Sequence, residues 1–266
     1  GYTGAASSFT GPGAPGLAYS ITDASANYGT VPTGTTADCA AATGDCYRLA
    51  IPTPPVRPAP HWDTTFHEEL STGDTKTWTL HVGDSFTDVP RANPFYPFIE
   101  TIFHRGVTTG CGATAYCPGS PTTREQMAAF LLRARGEFDP PQPATQRFLD
   151  VPPTNPFYRF IDRMAVLGIT FGCGGDSYCP GAPISREQMA AFIIRALGEF
   201  DPPQPATQRF LDVPPTNPFY RFIDRMAVLG ITSGCDGGNY CPTDPVTREQ
   251  MSVFLSEAFG LTLYGP

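Results

Sequence analysis

The eight cysteines carry the most specific chemistry in this chain, and all of them fall in close pairs: Cys39/Cys46, Cys111/Cys117, Cys173/Cys179 and Cys235/Cys241. Even number and paired spacing read as disulfides formed in an oxidising compartment. Zinc is the competing chemistry. It takes four ligands at one point, often with only two residues between paired cysteines. Here five residues separate the cysteines of the last three pairs, and His61, His67, His81 and His104 do not accompany them. Four disulfides are therefore expected, each closing a small loop and contributing roughly 2 kcal/mol by restricting the unfolded chain. The acidic turn Asp236–Asn239 lacks the dense oxygen ligands of a calcium loop. No metal and no cofactor is expected. His61, Asp63 and His67 lie close together near serines, but no glycine-flanked nucleophile or metal spacing surrounds them, so no catalytic residue is assigned.

The basic residues are lopsided. Lys76 is the sole lysine among 17 basic residues; the rest are Arg. The planar guanidinium suits fixed, bidentate contacts to carboxylate or phosphate, although a genome favouring Arg codons gives the same excess. With 25 acidic residues the formal net charge is -8, which argues against a nucleic-acid or anionic-membrane partner. No run of about 18 apolar residues exists, so no membrane insertion is expected. The chain begins at Gly1, as a mature secreted protein or a trimmed fragment would.

Apart from Tyr2 and Phe9, residues 1–16 are Gly, Ala, Ser, Thr and Pro with little to bury, and read as a flexible N-terminal arm. Short β-prone runs follow at Leu17–Thr22, Tyr47–Ile51, Thr64–Leu70 and Thr75–Val82. The last alternates well, with Trp78, Leu80 and Val82 on one face. Residues 17–84 are expected to form a small antiparallel β-sandwich, with Trp62 and Trp78 in its core and Cys39–Cys46 stapling a loop.

Beyond it one unit is written three times at a period of 62 residues. Each copy opens on Phe-x-Asp-Val-Pro, at Phe86, Phe148 and Phe210, and closes on Thr/Ser-Arg-Glu-Gln-Met. Gly136–Thr170 recurs letter for letter as Gly198–Thr232. In the second copy Asn155-Pro156 signals a helix start. Phe157, Phe160, Ile161, Met164 and Leu167 then make one apolar stripe, and Gly168 stops the helix. Ser185 with Gln188 reads as a capping box before a second stripe of Met189, Phe192, Ile193, Ala196 and Leu197. Two short helices cannot bury both stripes alone, but three copies packed together can. The boundaries expected are 85–147, 148–209 and 210–266. Proline in the connectors Glu137–Pro143 and Glu199–Pro205 favours an extended, semi-rigid path.

These motifs resemble the S-layer homology family. The likeness runs over about Ser85–Leu261 in three consecutive copies and is closest in Phe210–Leu261. The resemblance implies a pseudo-threefold helical bundle that holds proteins non-covalently on a bacterial envelope by binding pyruvylated cell-wall polysaccharide. The family's ligand-binding Arg falls on Arg124, Arg186 and Arg248, which could clamp a ketal carboxylate, with Gly174, Gly175, Gly237 and Gly238 letting backbone approach the sugar. The alternative is that each Arg is structural, capping a carbonyl or bridging acidic groups. Glu125/Gln126, Glu187/Gln188 and Glu249/Gln250 depart from the family's Ala-Glu, and Pro-Phe-Tyr replaces its His-Trp-Ala. The N-terminal part resembles, more weakly, the last β-sandwich repeat of long bacterial surface proteins.

The expected fold class is thus α+β multidomain: a β-sandwich followed by an all-α array of three helical-hairpin repeats. The expected function is a non-enzymatic structural protein of the bacterial cell surface, secreted, with an acidic cell-wall polysaccharide and copies of itself as partners. A filament or lattice subunit joined by the arm and β-domain is the alternative. A surface-tethered enzyme is the reading of another class.

Overall fold

The structure is a computed structural model and describes residues 1–51 and 62–264. It divides into two compact units, Gly1–Ser85 and Phe86–Tyr264.

The first unit contains β1 (Tyr2–Thr10), β2 (Ser20–Asp23), β3 (Ser25–Gly29), the short helix α1 (Cys39–Ala42), β4 (Arg48–Ala50), β5 (Trp62–Leu70) and β6 (Thr75–Val82). A four-stranded antiparallel sheet runs β3-β1-β5-β6, and β2 pairs with β4 in a second, two-stranded sheet. The β5–β6 hairpin holds continuous register from Trp62↔Val82 to Glu69↔Thr75. Its turn is closed by Gly73, at φ 89°, where only glycine sits without strain. Along β5 the period-two pattern buries Trp62, Thr64, Phe66 and Glu68. Phe9, Ala6 and Phe66 form a small core that Tyr19, Ile21, Tyr47, Leu49 and Leu80 complete from both sheets.

Two expectations fail here. The N-terminal arm is not free: Tyr2–Thr10 is the strand between β3 and β5, paired at Gly4↔Ala26 and Ala5↔Glu69. Its small residues were mistaken for loop, but a central strand overlaid by large neighbours needs small ones. A Cβ on Gly4 would collide with the Tyr47 hydroxyl. A bulge between Ser7 and Thr10, with Ser8 at φ 55°, returns Phe9 to the buried face. Trp78 is the second failure. It stands on the edge strand β6 and remains 37% exposed, while Trp62 is 6% exposed as expected of a core residue.

Glu68, 3% exposed, accepts hydrogen bonds from Tyr28 Oη (2.5 Å), Tyr47 Oη (2.8 Å) and Trp78 Nε1 (2.6 Å). Burial alone would raise its carboxyl; the three donors together outweigh burial and hold it below the ordinary carboxylate range. A depressed folded value means that the stabilisation is complete above the unfolded value of about 4.3 and is lost as pH falls through the folded one. Acid unfolding of the first unit should therefore steepen below about pH 4. In Glu68→Gln that acid-dependent part disappears, read from Trp fluorescence against pH. An unchanged acid profile would contradict the assignment.

The second unit holds α2 (Tyr96–His104), α3 (Arg124–Ala134), α4 (Tyr158–Val166), α5 (Arg186–Ala196), α6 (Tyr220–Val228) and α7 (Arg248–Ala258). The predicted stripes are buried, and Phe160, Ile161 and Met164 join Met189, Phe192 and Ile193 in one core shared by all three copies. Asn155 acts earlier than expected. Its Oδ1 accepts from Phe157 N (2.7 Å), and it lies three residues before α4 starts at Tyr158, so it shapes the entering turn rather than capping the first helical turn. The continuous apolar runs Met127–Leu132 of α3 and Met189–Ile194 of α5 are buried throughout, as a helix covered on several sides requires.

The expectation of an all-α array of helical hairpins is corrected in two respects. Helix packing is chiefly between copies: α3 lies against α4, α5 against α6, and α7 closes back on α2. The region is also not all-α. Antiparallel bridges Thr123↔Pro183, Ser185↔Pro245 and Pro121↔Thr247 join the three copies in a cycle. At its centre Ile184 N donates to Thr122 O (3.0 Å), Val246 N to Ile184 O (3.0 Å) and Thr122 N to Val246 O (2.8 Å). All three residues are fully buried, so each backbone group satisfies the next and the chain closes on itself. Helical periodicity carries no sign of such bridges, because they involve only one or two residues per copy.

The connectors follow the ring. Glu137 pairs with Arg163 and Glu199 with Arg225, both at 2.6 Å, tying each linker to the first helix of the next copy. The segment after α7 takes the corresponding place on α2. Tyr264 N donates to Thr101 Oγ1 (2.7 Å) and the Tyr264 ring stacks on His104 at 4.0 Å.

Candidate functional site: the arginines between repeats

Each candidate arginine is the first residue of a buried helix: Arg124 of α3, Arg186 of α5 and Arg248 of α7. The preceding Thr123, Ser185 and Thr247 have extended backbone, and their side chains accept from the amide three residues on. The reciprocal half of the capping box forms at Thr123/Gln126 and Thr247/Gln250. At Ser185 the expected box is only half present, because Gln188 Oε1 instead accepts from Arg124 Nη1 (3.3 Å) in the neighbouring copy.

From these helix starts the guanidinium groups reach forward into the next copy. Arg124 Nε donates to Tyr178 O (2.8 Å) and Nη2 to Gly172 O (3.2 Å). Arg186 Nε donates to Tyr240 O (2.8 Å) and Nη2 to Gly234 O (3.3 Å). Arg248 closes the cycle with Nε to Tyr116 O (2.7 Å), while its Nη2 is buried without a hydrogen-bond partner among the described residues. The tyrosines answer. Tyr178 Oη donates to Arg124 O (2.8 Å), Tyr240 Oη to Arg186 O (2.9 Å) and Tyr116 Oη to Arg248 O (2.7 Å). Each guanidinium also lies over two rings, as Arg124 does over Tyr178 (4.8 Å) and Phe192 (5.4 Å). Burial lowers the Arg124 and Arg248 pKa and pushes all three phenols well up, so the phenols stay neutral donors.

The three arginines are 3–4% exposed. The helix starts beside them are equally occupied. Arg124 N donates to Ala182 O (2.9 Å) and Glu125 N to Pro180 O (3.0 Å), and the pattern repeats at Arg186/Glu187 and Arg248/Glu249. Backbone amides that would otherwise hold an anion at a helix start are thus already satisfied. Two of the extra carboxylates bond across the junction: Glu125 accepts from Asn155 Nδ2 (2.9 Å) and Glu187 from Asn217 Nδ2 (3.0 Å), both in the next copy.

The loop each Arg enters is held in two ways. Disulfides Cys111–Cys117, Cys173–Cys179 and Cys235–Cys241 close it, with Cα separations of 6.0, 6.0 and 6.1 Å, and Cys39–Cys46 closes the α1 turn in the first unit. The Asp of Phe-x-Asp-Val-Pro then clamps two successive amides. Asp150 accepts from Tyr178 N (2.8 Å) and Cys179 N (2.7 Å), and Asp88 and Asp212 do the same in their copies. Charge-assisted bonds of this kind hold Cys117, Cys179 and Cys241 at φ near 60°, a region non-glycine residues rarely enter. The clustering of Asp150, Cys173 and Cys179 is this clamp beside a formed disulfide, whose sulfurs are bonded to each other. Sequence reasoning missed both the Asp clamp and the Tyr partner. The signal was present, since each recurs at the same 62-residue period as the cysteines.

In the first unit His67 Nδ1 hydrogen-bonds Thr77 Oγ1 (2.8 Å) on an exposed strand face, and His61 lies outside the described residues.

Comparison with known proteins agrees with the threefold pattern. The S-layer homology domain matches residues 85–128, 147–190 and 209–252. A protein named "Endoglucanase" from Bacillus sp. (strain KSM-635) is 28% identical over 175 residues, which is 64% of this chain and 18% of that protein. A protein named "Cell surface protein" from Thermoanaerobacter kivui is 30% identical over 176 residues, 65% of this chain and 21% of that protein. The chain spans about a fifth of the length of these relatives.

Proposed function

From the premise that this chain belongs to the S-layer homology family, with three tandem domains between residues 85 and 252, we propose that it is a cell-surface protein whose second unit attaches it to the bacterial envelope. The observation that carries this reading is the closed cycle of three equivalent inter-repeat junctions, each built from an Arg, a Tyr and a disulfide loop. A repeated junction offers repeated binding to a repeating polymer, and several weak contacts on one polymer add up to firm attachment. An acidic cell-wall polysaccharide is the partner proposed. Arg124, Arg186 and Arg248 lie buried within the three junctions, and Arg248 Nη2 has no hydrogen-bond partner among the described residues. The role is non-enzymatic. That one relative is named for an enzyme and another for a cell surface protein suits an attachment module joined to different cargoes.

Assembly through a free N-terminal arm loses its basis, because Tyr2–Thr10 is already committed to the sheet of its own chain. Self-association therefore has no surface assigned to it.

The test is co-sedimentation of the Arg124→Lys/Arg186→Lys/Arg248→Lys variant with cell walls. Lys keeps the charge but loses the bidentate fork. Wall binding should fall about tenfold or more, a loss of roughly 1.4 kcal/mol, with circular dichroism checking that the helices persist. Parent-like binding would remove the arginines from the site.

A further inference from the structure

A second site lies in the first unit, away from everything assigned above. A cleft of about 620 Å³ opens between the β1, β5 and β6 end of the sheet and the segment leading into α1. Its floor is built around Glu68, a carboxylate 97% buried by its 3% exposure and fixed by Tyr28, Tyr47 and Trp78. Carboxylates are rarely buried so deeply without a cation. Three neutral donors hold the charge in place but do not neutralise it. The Glu68 Oε2 atom accepts one bond and keeps acceptor capacity.

The walls are aromatic. Tyr2, 39% exposed, and Trp78, 37% exposed, line the cleft with Tyr28. Aromatic faces around a carboxylate attract cations whose hydration is weak, above all alkylated ammonium ions. The chain itself illustrates the preference. Its only lysine, Lys76, lies directly across the strands from Glu68, yet its Nζ rests 3.4 Å from the centre of the Trp78 ring. The ammonium chooses the ring face over an ion pair. Asp38 and Asp74 stand at the rim, so three carboxylates face one ammonium and the cleft keeps an excess of negative charge.

We propose that this cleft is a binding site for an organic ammonium ion, with Trp78, Tyr2 and Tyr28 as the aromatic walls, Glu68 as the buried counter-charge and Asp74 as the rim carboxylate. Lys76 is the internal competitor that occupies the ring until the ligand arrives. The Cys39–Cys46 disulfide and the Asp38 side chain, which caps α1 at Ala41 N (2.7 Å), keep the opposite wall in shape. The site is independent of the envelope attachment proposed for the second unit.

Isothermal titration of the full chain with choline chloride tests this, with 3,3-dimethylbutan-1-ol as the uncharged isostere and sodium chloride as the salt control. Saturable choline binding is expected, with neither control binding. Asp74→Asn, an exposed turn substitution, should weaken choline about tenfold, and Trp78→Leu by at least as much. Lys76→Met removes the competitor and should tighten choline binding about threefold, the opposite sign from a generic loss of structure. Absence of saturable choline heat, equal binding of the uncharged isostere, or parent-like affinity in Asp74→Asn or Trp78→Leu overturns the proposal.

Discussion

Removing residues 148–209 should abolish cooperative unfolding of the second unit, although the deletion spans one full period and leaves a seamless junction. In a linear array each repeat touches only its neighbours, and losing one costs a share of the stability. This unit is a cycle. α7 packs on α2, and the bonds among Thr122, Ile184 and Val246 need all three members. Without Ile184 two of the three axial bonds are gone, and Thr122 O and Val246 N are left buried without their partners, at about 1–3 kcal/mol apiece. The apolar faces of α3 and α6 that packed on the deleted α4 and α5 meet water as well. Together these losses are comparable with the whole stability of such a domain, about 5–15 kcal/mol. Calorimetry should show no unfolding peak for the shortened unit, where the parent shows one. A sharp transition at a modestly lower temperature would mean a linear array.

Arg186→Ala should destabilise the second unit by about 3–5 kcal/mol, far more than an ordinary surface change. The guanidinium is 4% exposed and satisfies carbonyls of Tyr240 and Gly234 in the next copy. Truncation leaves the buried Tyr240 carbonyl and the part-buried Gly234 carbonyl without the guanidinium and opens a void between Tyr240 and Phe254, over whose rings the group lies at 4.8 and 5.4 Å. Arg209 is the control. It is half exposed and bonds Asp224 at 2.9 Å, so Arg209→Ala should shift stability by less than about 0.5 kcal/mol. Urea unfolding followed by helical circular dichroism separates the two. Equal small effects would show that the junctions do not depend on the guanidinium.

Much of this architecture is written in the residues. Strand β6 occupies the span that the alternation around Trp78 and Leu80 marked, and the stripes of the second copy are buried. Gly168 adopts φ 71° and Ile169 is fully buried, as the helix-stop reading required. What stayed hidden has a common cause. Periodicity states which face of an element is covered but not which neighbour covers it, so α3 could be assigned a buried face without revealing α4 as its partner. Strand β1 was hidden because Gly4 and Ala6 have little surface to bury; at Gly4, Tyr47 and Glu68 leave no room for a side chain. At the candidate site the arginines stood out by their repetition, but a basic side chain at a helix start says nothing about its burial. Only the coordinates place Arg124, Arg186 and Arg248 against carbonyls of the following copy.

The central claim is attachment of the second unit to an envelope polysaccharide, and co-sedimentation of the intact chain with cell walls measures it most directly. The protein should pellet with complete walls and remain in the supernatant with walls stripped of their acidic polysaccharide. Equal pelleting with both preparations, or none with either, would contradict it.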